Sequence, residues 1–504
     1  MKKVLFIKNA AILTTSSLIL RFAGIMFKVW LAAKIGSEGI GLYQLIFSVY
    51  VLSSTFASAG ICTAATRLIS EEAVLGSKKG INRILRRSIE LTIAVALVSL
   101  GVIFFGADII AHKFLGDMRA VLSLKIIGFS LPFMGISSCI KGYFLAFRRA
   151  APPALSSIIE QAVRISVIVL IIGRLPHLEL EITCAAVLFG DTIAEAVSAI
   201  YLLTVYCFDK RRLNSLSGRK RPDYPIIKQI LRISAPISSG RYLNSALRTI
   251  ENMLVPKTLA MFSAAGNALS QFGMIKGMAL PLLFFPSALL NSISTLLIPE
   301  MSEARVEGNY SSLKRAAQRT LNITLCMGIA FAAIFLVVGD DIARLVYKNE
   351  EVGFLICALA PIVPLMYLDS VADGILKGLD QQLFCFKNSI FDSSARIILV
   401  ALLLPRLGLN GFIGIMYFSN FLTCFLNVHR LLKVSGAKLE ILNDILLPCA
   451  AALFSVVGFN TVFSLLKLPN LFHLILVCGF GLLSYLLLLV RLDVIKPLNK
   501  RKRL

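Results

Sequence analysis

Apolar segments near the ~20 residues that a helix needs to cross a ~30 Å hydrocarbon core recur along the whole chain, at roughly 10 to 33, 40 to 66, 88 to 108, 121 to 146, 154 to 173, 182 to 206, 229 to 255, 268 to 297, 318 to 338, 352 to 378, 384 to 404, 409 to 430, 442 to 464 and 471 to 490. A chain so patterned leaves almost nothing for a soluble domain, and it must satisfy its backbone groups within helices inside lipid. With 57% hydrophobic and only 16% charged residues, it stands well outside the range of ordinary soluble domains. The expected fold class is an all-α integral membrane protein with 14 transmembrane helices. The first segment starts Met-Lys-Lys like a signal peptide, but its apolar run continues past Arg21 without a small-residue cleavage site, so it reads as a retained helix.

Net charge is +24, and position explains it. Fourteen spans put both termini on one side; that side's loops and termini hold 34 of the 52 Lys and Arg, the opposite side 9, and the spans the remaining 9. The rich side, including Lys78 to Arg87, Lys210 to Arg232, Arg305 to Arg319, Arg430 to Lys438 and Lys496 to Arg503, is the cytoplasm by the positive-inside rule. The expected location is a cell membrane, spanned many times with both termini cytoplasmic, with membrane lipids as partners of the basic loops and no nucleic-acid partner. Ten cysteines without a CxxC indicate neither zinc nor a redox pair.

The chain also resembles itself. "SEEAVLGSKKGINRILRRS" from Ser70 aligns without gaps on "SEARVEGNYSSLKRAAQRT" from Ser302, and the same offset of 232 carries Glu160 and Arg164 onto Asp392 and Arg396. Two segments in one register indicate a duplication. The expected organisation is an N-lobe of six spans (1–207), a basic cytoplasmic linker (208–228), a C-lobe of six spans (229–432), and two further spans with a basic tail (433–504). Six spans per repeat relate the lobes by a pseudo-two-fold along the membrane normal, the plan of carriers that alternate access around a site between lobes.

Cations inside spans are costly unless they face an interior, pair, or line water. Glu160 with Arg164, and Asp392 with Arg396, are i,i+4 pairs read as structural; Lys125 and Lys141 lie near span ends, within snorkelling reach. Arg21 and Lys28 have no acid within reach on their own helix, and seven residues, about 10.5 Å of rise, put both on one face. Arg241, Asn244, Arg248 and Glu251 form a second stripe on span seven, and Lys276 adds a cation on span eight. The two stripes are expected to face each other across the lobe interface, with Arg21, Lys28, Arg241, Asn244, Arg248 and Lys276 lining an anion-binding cavity. Guanidinium groups fork onto phosphate oxygens, so a phosphate or pyrophosphate on a lipid-linked molecule is the simplest occupant. The alternative is that these cations bond acids or helix carbonyls elsewhere in the bundle.

"GSEGIGLYQ" (Gly36 to Gln44), "ASAGICTAATRLISEE" (Ala57 to Glu72) and "PSALLNSISTLLIPEMSEA" (Pro286 to Ala304) resemble the stage V sporulation protein B group of the MOP flippase superfamily, over essentially the whole chain. The resemblance implies an alternating-access flippase for undecaprenyl-pyrophosphate-linked saccharide, a lipid II-like peptidoglycan precursor, serving spore cortex or cell-wall synthesis beside cell-wall synthesis proteins. It implies that Arg21 matches the family's first-span arginine and that the added spans thirteen and fourteen offer a groove for the lipid tail. It also implies a sodium site in part, through Asn388 and Asp392, which match a family pair four apart on span eleven; sodium, protons or membrane potential remain open as the driving force, and no other cofactor or metal is expected. No nucleotide-binding loop or metalloprotease motif is present, and His112, His177, His429 and His473 lie near span ends without a catalytic setting, so no catalytic residue is expected. Two rivals remain. A cation-coupled multidrug antiporter of the same superfamily would use acids facing a cavity, for which Asp191, Glu195, Asp369 and Asp373 are placed. A non-transporting membrane scaffold would need no polar lining.

Overall fold

The computed structural model describes residues 2–494 other than 59, 175–178, 211–224, 264, 291–300, 302–304, 306, 467–468 and 493. The chain forms two compact units, Met1–Gly273 and Met274–Leu504. The division falls after the second of the two helices that follow the expected linker. Most of that linker, like the basic C-terminal tail, lies outside the described residues.

The first unit begins with α1 (Lys2–Ser58), which breaks at Gly36 (φ 70, ψ 179), a conformation that glycine adopts without the Cβ penalty. The break falls between expected spans one and two. A second glycine turn, Gly60 (φ 81), leads into α2 (Ile61–Val74), and Ser77 caps α3 (Lys78–Ile109) by accepting from the Gly80 amide. The unit continues with α4 (Ala120–Gly128), α5 (Ser130–Ala146), α6 (Ala151–Arg174), α7 (Leu180–Lys210), α8 (Ile226–Phe262) and α9 (Ala265–Gly273). Leu68, Ile84, Tyr143, Phe144, Leu202 and Ile230 meet in a buried core shared by α2, α3, α5, α7 and α8. Helices α1 and α9 approach at glycines: a Cβ on Gly41 would collide with the Leu269 carbonyl, and one on Gly273 with the Ser37 carbonyl.

The second unit opens with a π-helical turn (Met274–Ala279), then α10 (Leu280–Phe284), α11 (Tyr310–Tyr347), α12 (Glu350–Leu359), α13 (Val363–Gly378), α14 (Gln382–Ser435), α15 (Leu447–Leu465) and α16 (Asn470–Arg491). Asn309 and Asn349 cap α11 and α12, accepting from Ser312 and Val352 amides. Helix α14 breaks at Gly408 (φ 56, ψ −133), between expected spans eleven and twelve. Helices α15 and α16 pack on each other and against α11, where the Tyr485 hydroxyl donates to the Cys326 carbonyl at 2.9 Å.

Among the described residues the structure is helical, and 10 helical segments are long and apolar enough to cross a membrane. Helix α8 is not one of the ten; its Arg241 to Glu251 stripe lowers its apolar character. Part of expected span eight lies outside the described residues, so the count of fourteen goes further than these ten segments. All ten cysteines are free.

Candidate anion site and intramembrane charge networks

Arg21 lies on the first half of α1, which packs against α5 and α6. There it lines a cavity of about 430 Å³ with Lys141 of α5 and a largely apolar wall that includes Leu20, Leu145, Pro153 and Ala154. Arg21 is exposed and Lys28, two turns on, is half-buried. The expectation that Lys141 snorkels to an interface gives way to a paired residue. Its Nζ is 3.7 Å from Glu160 Oε2, and its side chain is only 26% exposed.

Glu160 is shared. Its Oε1 accepts from Arg164 Nη2 at 2.9 Å, the i,i+4 contact that the spacing predicts. Arg164 also places Nε 2.6 Å from Asp191 Oδ1 on α7 and donates Nη1 to Gln161 at 2.7 Å. Asp191 is buried and Glu195, one turn further along α7, is half-buried. The pair read as local is thus part of a network over three helices, Lys141, Glu160, Arg164 and Asp191. Only its i,i+4 link was visible in sequence, because the others depend on how α5 and α7 cross α6.

The second stripe sits on α8, which docks on the second half of α1 rather than the half that carries Arg21. Thr249 donates to the Ser48 carbonyl at 3.1 Å, the Tyr242 hydroxyl to the Phe56 carbonyl at 3.3 Å, and the Tyr242 and Phe56 rings stack with centroids 4.4 Å apart. The break at Gly36 separates the two halves of α1, with Arg21 on the half before it and the α8 contacts on the half after it. Arg241 and Arg248 are exposed and Asn244 is half-buried. Arg21, Lys28, Arg241 and Arg248 have neither a hydrogen bond nor an ion pair among the described residues.

Lys276 belongs to the second unit, where it is half-buried with its ammonium 5.9 Å from the centre of the Phe412 ring. The sequence pair Asn388 and Asp392 lies on the first half of α14, and both are buried. Asn388 donates to Asn427 at 2.9 Å and Asn427 donates to Asp369 at 2.8 Å. Asp392 accepts from Ser419 at 2.5 Å and lies 3.4 Å from Arg396 Nε. The offset of 232 places Asn427 opposite Glu195 and Asp373 opposite Lys141, so each unit carries a charged cluster at the corresponding place with different chemistry. Asp373 pairs with Lys377 at 2.5 Å. The four acids of the antiporter reading thus include three that are engaged within their own units. Among the described residues no cluster of three or more His, Cys, Asp or Glu is arranged to hold a metal.

A helical bundle crossing the membrane many times, with cations and engaged acids in its interior, is the architecture of a multi-pass transport protein. The chain belongs to the polysaccharide biosynthesis protein family, whose model matches residues 6–305, more than half its length. Among curated proteins of Bacillus subtilis (strain 168), it is 26% identical to stage V sporulation protein B over 82% of this chain and 80% of that one. It is 21% identical to lipid II flippase MurJ over 84% and 82%. Its fold matches a solved structure of lipid II flippase MurJ in an inward closed conformation with a TM-score of 0.72 at 14% identity, covering 96% of this chain and 98% of that one. It also matches an inward-facing multidrug resistance MATE transporter of the MOP superfamily with a TM-score of 0.68 at 14% identity, covering 85% and 99%. Both solved structures, at 14% identity, share the fold of this chain.

Proposed function

We propose that this protein is an alternating-access flippase that carries undecaprenyl-pyrophosphate-linked saccharide, a lipid II-like peptidoglycan precursor, across the bacterial cytoplasmic membrane for spore cortex or cell-wall synthesis. The observation that carries the reading is the imbalance inside the first unit. Arg21, Lys28, Arg241 and Arg248 have no hydrogen bond or ion pair among the described residues, while Glu160 and Asp191 are engaged by Arg164. Cations so placed suit an anion, and guanidinium groups suit a pyrophosphate. The family description, polysaccharide biosynthesis, and the flippase among the relatives support the same substrate class. The protein would carry out no covalent chemistry. Both termini would be cytoplasmic.

For the driving ion, sodium at Asn388 and Asp392 is favoured by one observation: Asn388 Oδ1 is buried without a hydrogen bond, a neutral oxygen of the kind sodium accepts. Arg396 beside Asp392 would oppose it, and proton coupling through the same acids is the other form of the proposal. The fold match to a multidrug transporter favours a second reading, cation-coupled drug export, in which the exposed cations have no role.

Complementation of a flippase-deficient strain, measured beside membrane protein levels, tests the choice. Loss of complementation by an Arg21→Ala, Arg248→Ala double variant at normal abundance is the expected result, and it also separates a carrier from a scaffold. Normal complementation by that variant overturns the anion reading. Drug resistance that depends on Asp369 but not on Arg21 would instead establish the antiporter.

A further inference from the structure

The cavity beside Arg21 has a lining that is apolar apart from three serines and two cations, Arg21 and Lys141. Its volume, about 430 Å³, falls in the range of small-molecule sites. An apolar cleft with paired cations fits an amphiphile: an alkyl or prenyl chain along Leu13, Leu20 and Leu145, and a phosphate or diphosphate ester at the charged end. Lys141 is nevertheless held back, 3.7 Å from Glu160. That contact is the longest in its network, since Arg164 approaches Glu160 to 2.9 Å and Asp191 to 2.6 Å. Glu160 therefore keeps a counterion when Lys141 leaves. A lysine ammonium on a flexible stem moves between two oxygen partners more readily than a planar guanidinium.

We propose that Lys141 is a second phosphate ligand of the Arg21 cleft, with Glu160 as the counterion that it exchanges for the phosphate of a long-chain lipid phosphate. This rests on the flippase reading for the identity of the lipid, and it assigns a role to a residue outside the sequence-derived lining.

The test is binding of a radiolabelled polyprenyl phosphate to the purified full-length protein in nanodiscs, with unphosphorylated polyprenol and inorganic phosphate as separate arms. Lys141→Ala should weaken polyprenyl phosphate binding about tenfold or more, as loss of a charge-assisted contact does, and Lys141→Arg should stay within a few-fold of the native protein. Glu160→Gln should tighten binding about threefold, because Lys141 no longer has a competing carboxylate. Polyprenol should be insensitive to all three, and inorganic phosphate should bind far more weakly than the lipid. A merely structural Lys141–Glu160 pair predicts that Lys141→Ala and Glu160→Gln move binding in the same direction, and that result overturns the proposal. So does native-like binding by Lys141→Ala, or inorganic phosphate binding as well as the lipid. Native-like Lys141→Ala binding alongside failed complementation by Arg21→Ala removes the Lys141 assignment alone. Normal complementation by the Arg21→Ala, Arg248→Ala variant removes the flippase reading beneath it.

Discussion

Arg164 holds two carboxylates at once, Glu160 a turn away on α6 and Asp191 on α7, and this decides which substitutions the bundle tolerates. Breaking a buried pair strands a charge at a cost of about 3–5 kcal/mol, but Arg164 keeps Asp191 when Glu160 is neutralised. It likewise keeps Glu160 when Asp191 is neutralised, so Arg164→Gln, which strands both acids, should reduce membrane abundance more than Glu160→Gln or Asp191→Asn. Immunoblots of membrane fractions rank them, and an Arg164→Gln protein as abundant as the two single-acid variants contradicts the shared-counterion geometry. The exposed cations obey a different rule. On the proposed anion reading, Arg21→Ala, Arg241→Ala and Arg248→Ala would each remove a contact worth about 1.5–3 kcal/mol to a bound phosphate, so complementation should fall steeply at normal abundance. Lysine replacements should be intermediate, since they restore charge without the planar fork, and Lys28→Arg should be tolerated. The i,i+4 pairs were legible in sequence because helix periodicity alone makes them neighbours. The Lys141 and Asp191 links were not, because they depend on which faces α5, α6 and α7 turn towards one another.

Glycines set the element-scale geometry that periodicity does not reveal. Hydropathy locates the apolar segments well, yet it shows neither the breaks at Gly36 and Gly408 as single positive-φ residues nor the seam where α1 meets α9. At that seam Gly41 and Gly273 leave no room for a Cβ against backbone, and the Ser37 and Ser270 hydroxyls hydrogen-bond at 2.6 Å. Close backbone approach through small residues is a main source of helix association in lipid. Gly273→Ala should push α9 off α1 and lower the melting temperature in detergent, whereas Gly24→Ala, with nothing within 4 Å of the added carbon, should be neutral or slightly stabilising. Fluorescence-detected size exclusion after heating compares the two; equal melting would remove the seam as a determinant. The same scale sets where α8 docks. Helix α8 uses Tyr242 and Thr249 to dock on residues 48 to 56, and the break at Gly36 sends the Arg21 half of α1 to α5 and α6 instead.

At the scale of the whole molecule, two features stand outside the expected repeat: the last two helices and the charge asymmetry. Helix α16 turns Tyr485 into the second unit against Cys326 and Gly481 against Val456, while Phe472, Ile475, Leu483, Leu486 and Leu487 stay exposed. If that apolar face holds the lipid tail, a photoreactive polyprenyl probe should crosslink within 470–491, and crosslinks confined to the first twelve expected spans would make the pair purely structural. Orientation has a sharper reporter. By the positive-inside rule, the side holding 34 of the 43 loop and terminal cations, with the 208–228 connection, would be the cytoplasmic one. Cys207 lies beside that connection near the end of α7 and is exposed, whereas the other nine cysteines are buried or half-buried. A variant keeping Cys207 alone should resist a membrane-impermeant maleimide added to intact cells and react once the membrane is permeabilised. A cysteine placed at position 34, on the opposite side near the Gly36 break, should react before permeabilisation. Reversal of the two results would invert the topology, and with it the side from which the Arg21 cleft receives its lipid.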